Sequence, residues 1–275
     1  MPLPYRRLLL TGAAGLLGRV LAPALRSEVP ELVLSDLGAA LAQHGIAGTA
    51  CDLADAAGME RLLEGVDAVV HMGGVSTEID YEPILAANIV GLRNLYAAAR
   101  RAGTKRIVFA SSNHVTGGYD RSDRISPADP PRPDGYYGLS KLYGEGMARL
   151  YFDRCGIETV CLRIGTATAN DRPPDQRALA SWLSHADLKR LVMASLAARD
   201  VGFLVAYGCS RNTRRWWDSE AAWRKLGYEP QDDAESFAAQ VEHIVPPAGS
   251  PAATKQGGIF VTLGPFDEKP PRGAT

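Results

Sequence analysis

An apolar run at residues 6–11 (RRLLLT) passes without a spacer into 12-GAAGLLG-18. A helical pattern follows at once, from Leu16 to Arg26. Few folds tolerate a buried strand that ends in glycine and restarts immediately as an amphipathic helix. The chain must turn tightly, leave its backbone open at the turn and start a helix whose leading N–H groups face outward. Gly12, Gly15 and Gly18 supply that freedom, in the spacing GxxGxxG. Such a turn lets a pyrophosphate approach the backbone at a helix N-terminus, so the motif is a variant of the dinucleotide fingerprint. Leu16 and Leu17 count with the three glycines as cofactor-binding candidates. A tight turn without a ligand is the competing reading, and the flanking strand and helix weigh against it.

The rest of the chain repeats the same alternation. Strands are predicted at 31–36, 48–53, 67–72, 105–112 and 158–165, with helices at 56–64, 81–101 and 136–156. Apolar strands alternating with helices predict an α/β fold, a Rossmann-type doubly wound parallel sheet covered on both faces. The order changes after Gly165, where 170-NDRPPDQR-177 reads as a loop. A helix at 185–199, a strand at 202–208, a helix near 234–244 and a short strand at 257–263 are expected beyond it. Residues 1–165 therefore read as an NAD-binding Rossmann domain, and 166–275 as a small substrate-binding region with a C-terminal tail.

Charge narrows the partners. Lys plus Arg number 30 and Asp plus Glu 31, with no basic stripe, which argues against nucleic acid. No apolar stretch reaches 18 residues, so no membrane span is expected. The N-terminus imitates a signal peptide, but Thr11 and Gly12 interrupt its apolar run. Cys51, Cys155, Cys161 and Cys209 are scattered and read as buried residues of a reducing compartment, the cytoplasm. No metal-binding spacing is present, a small molecule is the expected partner, and a homo-oligomer is expected.

Asp36 ends the second strand, 18 residues past Gly18. A carboxylate there accepts hydrogen bonds from ribose hydroxyls and repels a 2′-phosphate, which favours NAD over NADP. A strand-end cap is the alternative role for Asp36. Farther on, 136-YYGLSK-141 holds two tyrosines. Tyr137 and Lys141 stand four apart on one helix face, whereas Tyr136 pairs with Ser140 and lacks a cation. A neighbouring ammonium and a cationic nicotinamide would lower a phenol's pKa, so Tyr137 is the predicted base. Ser112 closes the fifth strand and is placed to hydrogen-bond a substrate hydroxyl, with Asn113 and His114 beside it. Trp216, Trp217 and Trp223 are expected to pack rather than to stack on a sugar.

These pieces resemble the extended short-chain dehydrogenase/reductases. The matching segments are TGAAGLLG (11–18), Asp36, CDL (51–53), HMGG (71–74), Asn88, SSNHV (111–115) and YGLSK (137–141). Within that family the likeness is to the uronate dehydrogenases, through GGVS (73–76), RIGT (163–166), SWLSHAD (181–187), YGCSRNT (207–213) and QGGIFV (256–261). The resemblance implies NAD-dependent oxidation of a uronic acid at its anomeric hydroxyl, giving an aldarolactone and NADH. It adds Asp52, Leu53, Met72, Gly73, Gly74 and Asn88 to the cofactor contacts, with Tyr137 and Lys141 also touching the cofactor. It implies substrate contacts at Ser76, Ser112, Asn113, His114, Thr166, Arg177 and Phe260, with Arg177 gripping the carboxylate and Arg172 as the rival for that role. A nucleotide-sugar epimerase or dehydratase, and a non-enzymatic NAD sensor, are the alternatives.

Overall fold

The structure, a computed structural model, describes residues 3–264. The strands are β1 (Arg7–Thr11), β2 (Glu31–Asp36), β3 (Thr49–Ala50), β4 (Ala68–His71), β5 (Arg106–Ser112), β6 (Glu158–Ile164) and β7 (Phe203–Gly208). They form one sheet in the order β3-β2-β1-β4-β5-β6-β7, and every pair is parallel. The chain winds outward from β1 through β2 to β3, then returns to place β4 on the other side of β1. That reversal opens a crevice at the carboxyl ends of β1 and β4, where such folds hold ligands.

The strands read as continuous apolar runs because both faces are covered. Alternate residues go to opposite faces. Leu8, Leu10, Val70, Val108 and Leu162 join the core shared with α1 (Leu16–Arg26) and α8 (His185–Ala197). Leu9, Val69, Ile107 and Cys161 join the core under α3 (Ala56–Leu62), α5 (Gly91–Ala102) and α6 (Tyr136–Cys155). The remaining helices are short: α2 (Gly38–Gln43), α4 (Tyr81–Ile84), α7 (Ala178–Ser181), α9 (Glu220–Leu226), α10 (Ala238–Val241) and α11 (Pro251–Thr254).

Several expected elements differ. The strand at 48–53 shrinks to β3, two exposed residues on the sheet edge, because the chain turns where Asp52 accepts from the Ala54 N–H (2.9 Å). The long helix at 81–101 contains a π-helical stretch, Leu85–Val90, between α4 and α5. The strand at 257–263 is a 3-10 helix, Gly258–Thr262, because Gly258 adopts φ +62° and breaks the extended path. The helix near 234–244 splits into a 3-10 turn, Ala234–Phe237, and α10. Trp217 and Trp223 are buried, as expected, but of the cysteines expected to be buried Cys51 is half-buried and Cys155 exposed. Among the described residues no helix is long and apolar enough to cross a membrane.

Candidate active site

A cavity of about 810 Å³ runs along the carboxyl edge of the sheet, from the glycine turn to the C-terminal segment. Gly12 lies in the left-handed region at φ +69°, and a Cβ there would sit 2.5 Å from the Met72 carbonyl carbon. A Cβ on Gly18 would strike the Gly12 carbonyl oxygen. These glycines let α1 and the end of β4 close on the turn. Gly15 is exposed, and a Cβ there would meet only the Gly12 oxygen, at 3.3 Å, so its cavity side is open. Helix α1 starts at Leu16 with no side-chain cap and no acid in its first turn. Its leading N–H groups are available to an anion.

Asp36 lines the cavity, and its Oδ2 accepts from the Ala14 N–H (2.9 Å). An adjoining recess of about 300 Å³ is walled by Asp36, Asp52, Leu53, Gly73 and Gly74, and its apolar sides suit an adenosine. Leu16, Leu17 and Met72 line the main cavity. Open backbone at Gly15, an uncapped helix start and an acid at the end of β2 together fit NAD. Asn88 departs from expectation. Its Oδ1 accepts from Val75 N–H (2.9 Å), and its Nδ2 donates to Val75 O (3.0 Å) and Ser140 Oγ (2.9 Å). It lines neither cavity and instead braces the 73–76 loop.

Tyr137 and Lys141 both face the cavity and are almost fully buried. Lys141 Nζ lies 5.6 Å from the Tyr137 ring centre and 5.2 Å from that of Phe109. Tyr136 packs against Tyr81 instead, ring centres 5.2 Å apart. Glu78, buried and undetected in the sequence, caps α6. Its carboxylate accepts from the N–H groups of Tyr136 (2.8 Å) and Tyr137 (2.7 Å), which fixes the helix start that carries the base. Ser112 lines the cavity with Tyr137, and its Oγ accepts from the His114 N–H (3.2 Å).

Opposite the glycine turn stand Ser76, Asn113, His114, Thr166, Arg177 and Phe260. Arg177 Nη1 donates to Thr166 Oγ1 (3.2 Å) and Nε to the Gln256 carbonyl (2.6 Å). With the Asn113 amide set so that Nδ2 donates to the Ile164 carbonyl (2.9 Å), its Oδ1 accepts from Arg177 Nη2 (2.9 Å). All three acceptors are neutral, and Arg177 makes no ion pair among the described residues. Arg172 is exposed, lies 5.8 Å from the Phe237 ring and does not line the cavity. The His114 ring pairs with Asp134 (Nδ1–Oδ2 2.6 Å) and stacks on Phe260 at 3.8 Å.

Comparison with known proteins agrees with this arrangement. Residues 8–217 match the family described as "NAD dependent epimerase/dehydratase family". The chain belongs to the NAD dependent epimerase/dehydratase family. A uronate dehydrogenase of Pseudomonas syringae pv. tomato is 50% identical over 97% of each chain. A uronate dehydrogenase of Agrobacterium tumefaciens, solved as a tyrosine-to-alanine mutant complexed with NAD, superposes with TM-score 0.88 at 42% identity. The match covers 96% of this chain and 99% of that one. A glucuronic acid dehydrogenase of Chromohalobacter salexigens gives TM-score 0.87 at 44% identity, over 94% and 98% of the two chains.

The electrostatics of this epimerase/dehydratase-family site correct one expectation. Burial pushes the Tyr137 phenol up to about 12, with the Ser112 hydroxyl opposing and the Asp134 charge adding. Burial also brings Lys141 down to about 8. The lysine was expected to lower the phenol, but in the protein alone the same dry surroundings disfavour both charges. Burial lowers Arg177 to about 10 and also lowers His114, leaving that imidazole neutral near pH 7. Asp134 then holds the Nδ1–H, and Nε2 is left as an acceptor. Besides Glu78 and Asp134, sequence reading missed Gln256, because no local pattern marks a residue whose partners lie far along the chain. It likewise missed Arg121, which lines the cavity and donates to Ala252 O (2.7 Å).

Proposed function

We propose that this protein oxidises a uronic acid, galacturonate or glucuronate, at its anomeric hydroxyl to the aldarolactone, with NADH formed. The observation that carries the reading is Arg177. Its half-buried guanidinium lines the same cavity as Tyr137 and Ser112, and its hydrogen-bond partners are all neutral. A cavity cation that no carboxylate pairs is a site for an anionic substrate, and relatives about half identical carry the uronate dehydrogenase name.

In this reading Gly12, Gly15, Gly18, Asp36, Asp52 and Leu53 hold NAD, with Tyr137 and Lys141 at its nicotinamide end. When bound, NAD supplies the hydride acceptor. Arg177 takes the carboxylate through its fork. Ser76, Asn113, His114 and Thr166 hold ring hydroxyls, and Phe260 covers them. Ser112 orients the anomeric hydroxyl, and Tyr137 removes its proton as the anomeric C–H leaves as hydride and the C=O of the lactone forms. The Tyr137 phenol starts high, so the positive charges that gather on binding must bring it into range. Residues after Gly165 supply the carboxylate end of the site, which gives the division at 165 a functional meaning.

The reading includes a cytoplasmic homo-oligomer. Four free cysteines, one exposed, suit a reducing compartment. Leu139 and Leu150, three turns apart on α6, are both exposed on one face, and light scattering checks the assembly. The test of function is NADH formation over a panel of uronic acids and neutral sugars. Turnover of galacturonate or glucuronate, with neutral hexoses far slower, supports it. An enzyme that purifies with bound NAD and releases no NADH from any of them is an epimerase instead.

A further inference from the structure

We propose that Gln256 is a positioning residue for Arg177, and through it sets the affinity for the substrate carboxylate. The inference rests on the uronate reading above. The Nε of an arginine fixes the plane of its fork, and here Nε is held by the Gln256 carbonyl at 2.6 Å. That carbonyl is itself immobilised. Gln256 is 1% exposed, and every polar atom of its side chain is engaged. Oε1 accepts from Trp217 Nε1 (2.9 Å), while Nε2 donates to Asp120 O and Asp123 O, both at 3.0 Å. Its backbone N–H donates to Tyr119 O (2.8 Å).

Only a primary amide offers two donors and an acceptor at this reach. A glutamate would set a carboxylate against two carbonyls, and an apolar side chain would leave both carbonyls and the indole N–H unpaired. Trp217 is a firm anchor, since it is buried and stacks on Tyr207 at 4.8 Å with a 6° tilt. The next residues complete the brace. Gly257 N–H donates to Gly117 O (2.8 Å), and a Cβ on Gly258 would lie 2.6 Å from Arg177 Cδ. The C-terminal segment thus carries the rigidity of the Trp217 core to the substrate cation. An arginine held this way has its fork aimed before the carboxylate arrives.

The test is Gln256→Met in the full chain, with Trp217→Phe as a milder variant that removes a single donor to the same amide. Steady-state rates with galacturonate and glucuronate are measured beside NAD titration. The expected result for Gln256→Met is a uronate KM raised roughly 10- to 50-fold with kcat within about threefold, the pattern of lost uniform binding. Trp217→Phe should move KM the same way by less, and NAD affinity should stay put in both. In an Arg177→Ala background, Gln256→Met should add less than about twofold, because the side chain it positions is gone. A general loss of structure would instead multiply the two losses and lower kcat or NAD affinity, and would overturn the proposal. An unchanged KM in both single variants would also overturn it. Failure of the unmodified protein to oxidise any uronate would remove the functional reading itself, and this inference with it.

Discussion

The two ends of the cavity are built on different principles. At the end proposed for the cofactor, the lining comes from short contiguous stretches at strand ends, and glycine backbone does much of the shaping: Gly12, Gly15 and Gly18 after β1, Gly73 and Gly74 after β4. At the substrate end, Asn113, Thr166, Arg177 and Phe260 come from distant segments, and side chains do the shaping. A backbone site recognises what many ligands share, here a pyrophosphate and a ribose. A side-chain site can change its ligand without disturbing the sheet. In the proposed function chemistry takes place at the seam, where Tyr137 and Lys141 rise from α6 between the two.

The comparison can be broken first at the seam. Tyr137→Phe removes the proposed base but leaves both ends intact, so kcat should fall by about 10²- to 10⁴-fold while NAD still binds. Tyr136→Phe, whose ring packs on Tyr81 outside the cavity, should stay close to the unmodified rate. Steady-state rates and NAD titration of the two variants decide this. A dead Tyr136 variant beside an active Tyr137 variant would reverse the assignment. Next comes the side-chain end. Arg177→Ala should cost about 2–5 kcal/mol in kcat/KM for uronates, with NAD affinity unmoved. Arg172→Ala should have no effect, since that residue lies outside the cavity. Equal losses in both would mean that the loop 168–177 moves when substrate binds.

The same contrast explains what could be read in advance. The sheet, its parallel winding and the cofactor end follow from local patterns, because a strand, a glycine turn and a helix start are each written in a few adjacent residues. Tyr137 and Lys141 were legible because helix periodicity makes them neighbours. The bracing by Asn88 was not legible, since only the π-helical stretch and the folded loop show that its amide faces Val75 and Ser140. The segment 257–263 read as a strand from its β-branched residues, but no sheet edge receives it and Gly258 turns it into a 3-10 helix. Glu78 and Asp134 were invisible because each matters only through a residue distant in sequence.

A smaller effect tests the backbone end. Asp36 lines the cavity, accepts from Ala14 N–H and makes no ion pair among the described residues. Asp36→Ala should weaken NAD modestly and relieve the repulsion of a 2′-phosphate, narrowing the NAD-over-NADP preference by roughly 10-fold, about 1.4 kcal/mol. The ratio of kcat/KM for the two cofactors measures it. Equal use of NAD and NADP by the unmodified enzyme would show that Asp36 is a strand-end cap and no more.

A last test reads stability rather than turnover, and it compares the two cations of the cavity wall directly. Lys141 and Arg177 each sit in the cavity wall, and burial lowers them to about 8 and about 10. At neutral pH both are charged, so both oppose folding of the protein without ligands. Lys141 can escape by losing its proton from about pH 8, whereas Arg177 keeps its charge until about pH 10. A lysine lowered in the folded state binds fewer protons there than in the unfolded chain between about pH 8 and 10.5. Stability therefore rises with pH across that window, and below it the buried charge opposes folding in full. Replacing Lys141 with methionine removes this opposition and should stabilise the NAD-free protein at pH 7 by up to about 3 kcal/mol, while abolishing most turnover. The gain should shrink as pH climbs through the window. It should also be smaller with NAD present, since the lysine then has a ribose to bind. Denaturant unfolding of both proteins at several pH values, with and without NAD, measures it. A destabilised Lys141→Met at pH 7 would show that the contacts with Phe109 and Tyr137 outweigh the burial of the charge, and that the seam, unlike the substrate end, is electrostatically relaxed before the cofactor arrives.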